Sequence, residues 1–203
     1  MDFGQIREKL DGRGSGLIEI RKHSCVLIPF VEREGRLCLL FELRSAGISQ
    51  PGEVCFPGGR MEEGETPLQT ALREIGEELS VPEERILYAH EYDTLIHYAN
   101  MAIHTVVAQL DPAVLDEICP AEDEVAEWFT IPVDWLAEHE PVLYEYRVLP
   151  EIRDDFPYDI IESPDKYNWR TGKWTIPIWN YEGHCLWGMT ARIVYALLKL
   201  LAQ

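Results

Sequence analysis

Residues 59–81 read GRMEEGETPLQTALREIGEELSV, and they carry the strongest helix signal in the chain. Thr66 suits the N-cap, Pro67 the first helical position and Gln69 the third, a capping box with proline at its favoured place. Leu68, Ala71, Leu72, Ile75 and Leu79 fall on one apolar stripe, and Val81-Pro82 ends the helix. At about 100° per residue, Glu74, Glu77 and Glu78 share one flank, with Glu78 nearest the stripe and Glu77 farthest from it. Arg73 lies one turn before Glu77, on the neighbouring flank. Like charges one turn apart destabilise a helix by roughly a few tenths of a kcal/mol per pair. Two readings account for tolerating them. One is an ordinary solvated helix face. The other is a site for a hard cation such as Mg2+ or Mn2+, which takes oxygen ligands.

Outward from this helix, strands and helices interleave. Residues 3–10 suit a short helix, broken by the glycines of 12–16. SCVLIPFV (24–31) and RLCLLFEL (36–43) read as strands joined in a hairpin at Arg33, Glu34 and Gly35. Residues 44–53 read as a loop, and 54–56 as a short strand running into Pro57-Gly58-Gly59. Strands are expected over 86–95, 101–110 and 125–131, with a short helix over 132–137. Residues 142–149 and 174–181 suit a hairpin around an aromatic, charged insertion, and Met189, Ile193, Ala196, Leu197, Leu200 and Leu201 mark an amphipathic helix at the end. The pattern is that of an α/β or α+β sandwich.

At 203 residues and 46% hydrophobic, the chain suits one domain over 1–203, with an N-terminal extension (1–21) and the insertion at 150–180. A net charge of −18 argues against broad binding to nucleic acid or to an anionic membrane. An anionic substrate would need a local reversal of field, which a divalent cation supplies. The five cysteines form no CxxC pair, which points to free thiols, no zinc site and the cytoplasm. Neither an apolar signal core nor a run of membrane-spanning length stands out.

Gly59, Glu65, Arg73, Glu74, Glu77 and Glu78 stand at the intervals G-x5-E-x7-R-E-I-x-E-E-x-S-V. This spacing resembles the Nudix box of the Nudix hydrolases, G-x5-E-x7-R-E-U-x-E-E-x-G-U with U a bulky aliphatic residue. Ile75 and Val81 fill the aliphatic places, and Ser80 stands where the pattern has glycine, in the left-handed turn expected to end the helix. The resemblance implies an α/β/α sandwich with a mixed central sheet. It also implies metal-dependent hydrolysis of a nucleoside diphosphate linked to another moiety. Glu74, Glu77, Glu78 and the Gly59 carbonyl would then hold Mg2+ or Mn2+, with Glu74 or Glu77 as general base. Arg73 resembles the arginine that orients these carboxylates, and Glu65 and Gly58 hold structural places. A carboxylate from outside the box often completes such sites; Glu122, Asp123 and Glu124 are candidates, beside the plainer reading of an acidic turn. Homodimers are common among relatives.

LFELRSAGISQPGEVCFPGG (40–59) and CLWGMTARIVYALL (185–198) resemble stretches of the coenzyme A pyrophosphatases within that family. The resemblance implies cleavage of coenzyme A or its thioesters to 4′-phosphopantetheine and adenosine 3′,5′-bisphosphate. Residues 46–51, AGISQP, lack the basic residues usual there, so Arg44 and Arg60 are the nearest replacements for holding an extra phosphate. Lys166, Trp169, Arg170 and Lys173 form a basic aromatic patch that could stack an adenine or hold a phosphate, beside the plainer reading of cross-strand pairs in a hairpin. Trp187 and Gly188 read as helix-entry packing, and His97 and His104 as structural. The alternatives are a Nudix hydrolase of ADP-ribose, a sugar nucleotide or a dinucleotide, and an inactive nucleotide-binding domain of the same fold.

Overall fold

The computed structural model describes residues 2–161 and 167–203. The capping box forms as its letters dictate: Thr66 Oγ1 accepts from the Gln69 N–H at 3.3 Å, while the Gln69 side chain accepts from the Thr66 N–H at 2.9 Å. The helix it starts, α2 (Pro67–Leu79), follows an exposed α1 (Phe3–Leu10) and precedes α3 (Val133–Glu138) and α4 (Gly188–Leu201).

Strand β1 (Lys22–Arg33) organises the main sheet. It runs parallel to β7 (Met101–Leu110) and turns through Glu34 and Gly35, both at positive φ, into antiparallel β2 (Arg36–Arg44). The two hairpin strands pair only from Phe30 to Arg33 against Arg36 to Leu39. Below that they part. The gap is filled by β4 (Gly58–Arg60), which pairs with Ser24, Cys25 and Val26. Beyond it, β2 pairs with β3 (Val54–Cys55) and with β8 (Val125–Pro132). The opening between β1 and β2 therefore delivers Gly58 and Gly59 to the C-terminal half of α2.

Where one strand was expected over 86–95, two form: β5 (Ile86–Glu91) and β6 (Leu95–His97), both antiparallel to β7. The break falls at Tyr92–Thr94, where the Asp93 carbonyl accepts from the Thr105 hydroxyl. The expected hairpin of 142–149 and 174–181 is present as β9 (Val142–Val148) and β10 (Gly172–Tyr181), joined by β11 (His184–Leu186) in a second sheet.

Side chains alternate across β1 and β2, so each strand feeds two layers. Leu27 and Leu40 meet Ala71, Ile75 and Leu79 of α2, whereas Ile28, Leu39 and Phe41 meet Ile193, Val194 and Leu197 of α4. Each of these buried Leu, Ile, Val and Phe side chains contributes up to about 1.5–3 kcal/mol. The result is an α/β/α sandwich around a mixed sheet.

Candidate active site

The stripe of α2 that faces the sheet carries Glu78 in with it, only 5% exposed. Its Oε2 accepts the Gly58 N–H at 2.8 Å. Burial, and next the Glu74 and Glu124 charges, push its carboxyl well above the ordinary carboxylate range, against the pull of that N–H. One turn earlier, Glu74 lies directly on β4: a β-carbon added at Gly59 would sit 2.6 Å from the Glu74 Cδ. Gly58 meets backbone in the same way, 2.6 Å from Val26 Cα. Both glycines are required by close approach.

Arg73 holds the outer flank. Its Nε and Nη2 donate to Glu65 at 2.8 and 3.1 Å, and Nη1 donates to Glu74 and Glu77, each at 2.9 Å. The Arg60 carbonyl also accepts from Nη2. Glu65 takes further bonds from Thr70 and the Glu62 N–H, and Arg73 foremost holds its carboxyl down to about 2. Burial raises Glu74 despite its bond to Arg73.

Ser80 ends α2 in the left-handed conformation, φ 59°, and its Oγ donates to the Cys119 carbonyl at 2.8 Å. Amides of the following loop cap the helix, Cys119 on Leu79 and Ala121 on Glu78. Ser45 binds the Glu122 and Glu124 carbonyls. Of the three acidic candidates in this loop, the Glu124 charge acts on Glu74 and Glu78.

One residue of the site was hidden in the sequence. Glu42 shares the α2-facing side of β2 with Leu40 and is 2% exposed. Its Oε1 has no hydrogen-bond partner among the described residues. Burial first, and then the Glu78 charge, push its carboxyl far up. Read as a strand letter, it gave no signal; its only cue was a carboxylate where the alternation wants an apolar residue.

Among the described residues, no three Asp, Glu, His or Cys side chains converge as a ready-made cage. Arg73 draws Glu74 and Glu77 to one side, and the Gly58 amide holds Glu78 on the other. The donor set nonetheless fits a hard divalent cation. It is all oxygen, burial and then neighbouring carboxylate charge hold its Glu42 and Glu78 carboxyls well above the ordinary range, and it includes an orphaned carboxylate oxygen.

Beside these groups opens a cavity of about 530 Å3, within the range of small-molecule sites. Arg44, Gly58, Gly59 and Arg60 line it. So do Tyr98, Tyr146, Trp174 and Trp187. Trp169 and Arg170 do not: Trp169 packs edge-on to Phe156 and Tyr167 and donates to the Tyr158 hydroxyl. Lys173 pairs with Glu145 across β9 and β10, and Lys166 lies outside the described residues.

The NUDIX domain family matches residues 21–151, and the chain belongs to that family. It is 42% identical over 114 residues to Nudix hydrolase 3 of Caenorhabditis elegans, covering 55% of this chain and 48% of that one. It is 36% identical over 137 residues to the peroxisomal coenzyme A diphosphatase NUDT7 of Mus musculus, covering 64% and 54%. Against the mitochondrial coenzyme A diphosphatase NUDT8 of Homo sapiens it is 29% identical over 207 residues, covering 98% and 77%. The chain spans about half the length of the first two relatives.

Proposed function

We propose that the protein is a Mg2+- or Mn2+-dependent pyrophosphohydrolase whose substrate is coenzyme A or its thioesters. The observation that carries this reading is the set of α2 carboxylates fixed by Arg73 and Gly58 beside a cavity of nucleotide size. The likeness to NUDT7 and NUDT8, both named coenzyme A diphosphatases, points to the substrate.

Glu74, Glu77, Glu78 and the Gly59 carbonyl would hold the cation, with Glu124 as the further carboxylate. When bound, it supplies charge neutralisation at the diphosphate and acidifies the attacking water. The chain's own work is positional. Arg73, anchored on Glu65, sets the Glu74 and Glu77 carboxylates, either of which can take the proton of the water. Gly58 and Gly59 let the backbone approach without a side chain between. Arg44 and Arg60 present positive charge to the substrate phosphates from the cavity wall.

A cytoplasmic location is part of the same proposal: all five cysteines are free, which suits a reducing compartment. No helix among the described residues is long and apolar enough to cross a membrane.

A panel of coenzyme A, acetyl-coenzyme A, ADP-ribose, a sugar nucleotide and a dinucleotide, with Mg2+ and product identification, tests the substrate. Coenzyme A turned over fastest, to 4′-phosphopantetheine, supports it. ADP-ribose cleaved much faster overturns it.

A further inference from the structure

Arg192 lies on α4 between the buried Ala191 and Ile193, and its guanidinium carbon stacks 3.8 Å over the Trp174 ring of β10. Trp174 is braced edge-on by His97 at 4.9 Å and by Tyr98 at 5.0 Å. The guanidinium is thus held in one plane by stacking. Yet Nη1 is closed off from solvent and has no hydrogen-bond partner among the described residues. Arginine carries five donors in a rigid fork, and a buried one left idle is costly. In a chain of net charge −18 this is out of pattern, because Arg36, Arg73 and Arg85 all pair with carboxylates. The cavities that Arg192 lines carry His97, Tyr98, Tyr146 and Thr190 and also the acids Glu53, Asp93 and Glu145, none of which pairs with its Nη1. Burial and the Arg192 charge both push the His97 imidazole towards its neutral form.

The same cavity that touches Gly58, Gly59 and Arg60 is lined by Arg192, Tyr146 and Trp174. A nucleotide with its diphosphate at α2 therefore shares one chamber with an idle, flattened cationic fork. Planar forks match phosphate and carboxylate oxygens at two points.

We propose that Arg192, stacked on Trp174, is the subsite that reads a further phosphate beyond the diphosphate, the 3′-phosphate of coenzyme A. The assignment rests on the coenzyme A reading above. Lacking that phosphate, a ligand leaves the fork unpaired, so discrimination comes from a buried donor without an acceptor.

The test is calorimetric binding, with Mg2+ present, of adenosine 3′,5′-bisphosphate and of 5′-AMP. Wild type is expected to prefer the bisphosphate by roughly 10- to 100-fold, the scale of charge-assisted hydrogen bonds. In Arg192→Gln the ratio of the two affinities falls to about one. Arg192→Lys, which keeps the charge and loses the fork, gives an intermediate ratio and serves should the glutamine variant not fold. A wild-type ratio near one, or a ratio unchanged in a folded variant, overturns the proposal. Turnover of coenzyme A by the wild type is a separate measurement: its failure sinks the substrate reading, while the binding ratio still decides Arg192.

Discussion

The Arg73 guanidinium grips the Glu65 carboxylate at two points, Nε to Oε1 at 2.8 Å and Nη2 to Oε2 at 3.1 Å. Nη1 is left for Glu74 and Glu77. Glu65, itself tied to Thr70 and the Glu62 amide, thus sets the plane in which the arginine presents its last donor. A lysine ammonium is a point charge and cannot span both sides. Arg73→Lys is expected to lose about 2 kcal/mol in urea unfolding, the scale of charge-assisted bonds. Its kcat should fall by on the order of 100-fold through misplaced carboxylates. Glu65→Gln should show most of the same loss; an unchanged unfolding midpoint in both variants counts against the arrangement.

Gly59→Ala places a methyl group against the Glu74 carboxylate, which has to swing away. A displacement of about 1 Å at a reacting centre costs on the order of 100-fold in rate. Turnover is expected to drop by that order while Tm moves only a few degrees, since the methyl group meets a side chain that can swing away rather than backbone. Full activity in a folded Gly59→Ala protein would falsify the close packing.

The pH dependence of the metal-free protein has two limbs of opposite sign. Glu65 is held well below its ordinary value of 4.5, so its contribution is present above 4.5 and is lost as pH falls towards about 2. Glu42 and Glu78 are raised above 4.5, so the folded state binds their protons more tightly and stability falls as pH climbs from 4.5 through their folded values. Melting in EDTA should therefore peak in the mildly acidic range. Mg2+ should lift the alkaline limb by supplying positive charge in place of the protons, and Glu42→Gln should raise Tm in EDTA at about pH 8. A Tm in EDTA that rises from about pH 5 to about pH 8 contradicts the sign.

Ser80 offsets its left-handed backbone with a hydroxyl bond to Cys119. The conformation costs roughly 1–2 kcal/mol and the hydrogen bond returns about 1. Ser80→Gly loses both and should stay within about 0.5 kcal/mol of wild type. Ser80→Ala keeps the strain, loses the bond and should destabilise by about 1 kcal/mol in denaturant unfolding. Equal midpoints for the alanine and glycine variants would argue against this balance.

What could be read from the sequence was what is local. The capping box, the apolar stripe of α2 and the apolar runs of β1 and β2 each depend on neighbours a few positions away, and they stand where their letters put them. Strand β4 was invisible because Gly58, Gly59 and Arg60 have no hydrophobic period; pairing with β1 alone makes it a strand. Glu42 and Arg192 were hidden for a related reason. Each sits in a segment read for its apolar members, and nothing along the chain tells which neighbour a polar side chain will meet across the fold. The aromatic patch shows the converse. Composition singled out Trp169 and Arg170, whereas the cavity wall is made by Trp174 of β10 and Trp187, the residue before α4.

In the proposed function, the α2 carboxylates hold the cation on which pyrophosphate hydrolysis depends. The most direct test of that role is coenzyme A hydrolysis with Mg2+, measured side by side for wild type and for the double variant Glu77→Gln, Glu78→Gln, with products identified. Expected are 4′-phosphopantetheine and adenosine 3′,5′-bisphosphate from the wild type, and a rate at least about 100-fold lower from the variant. Equal rates from the two proteins would contradict that role.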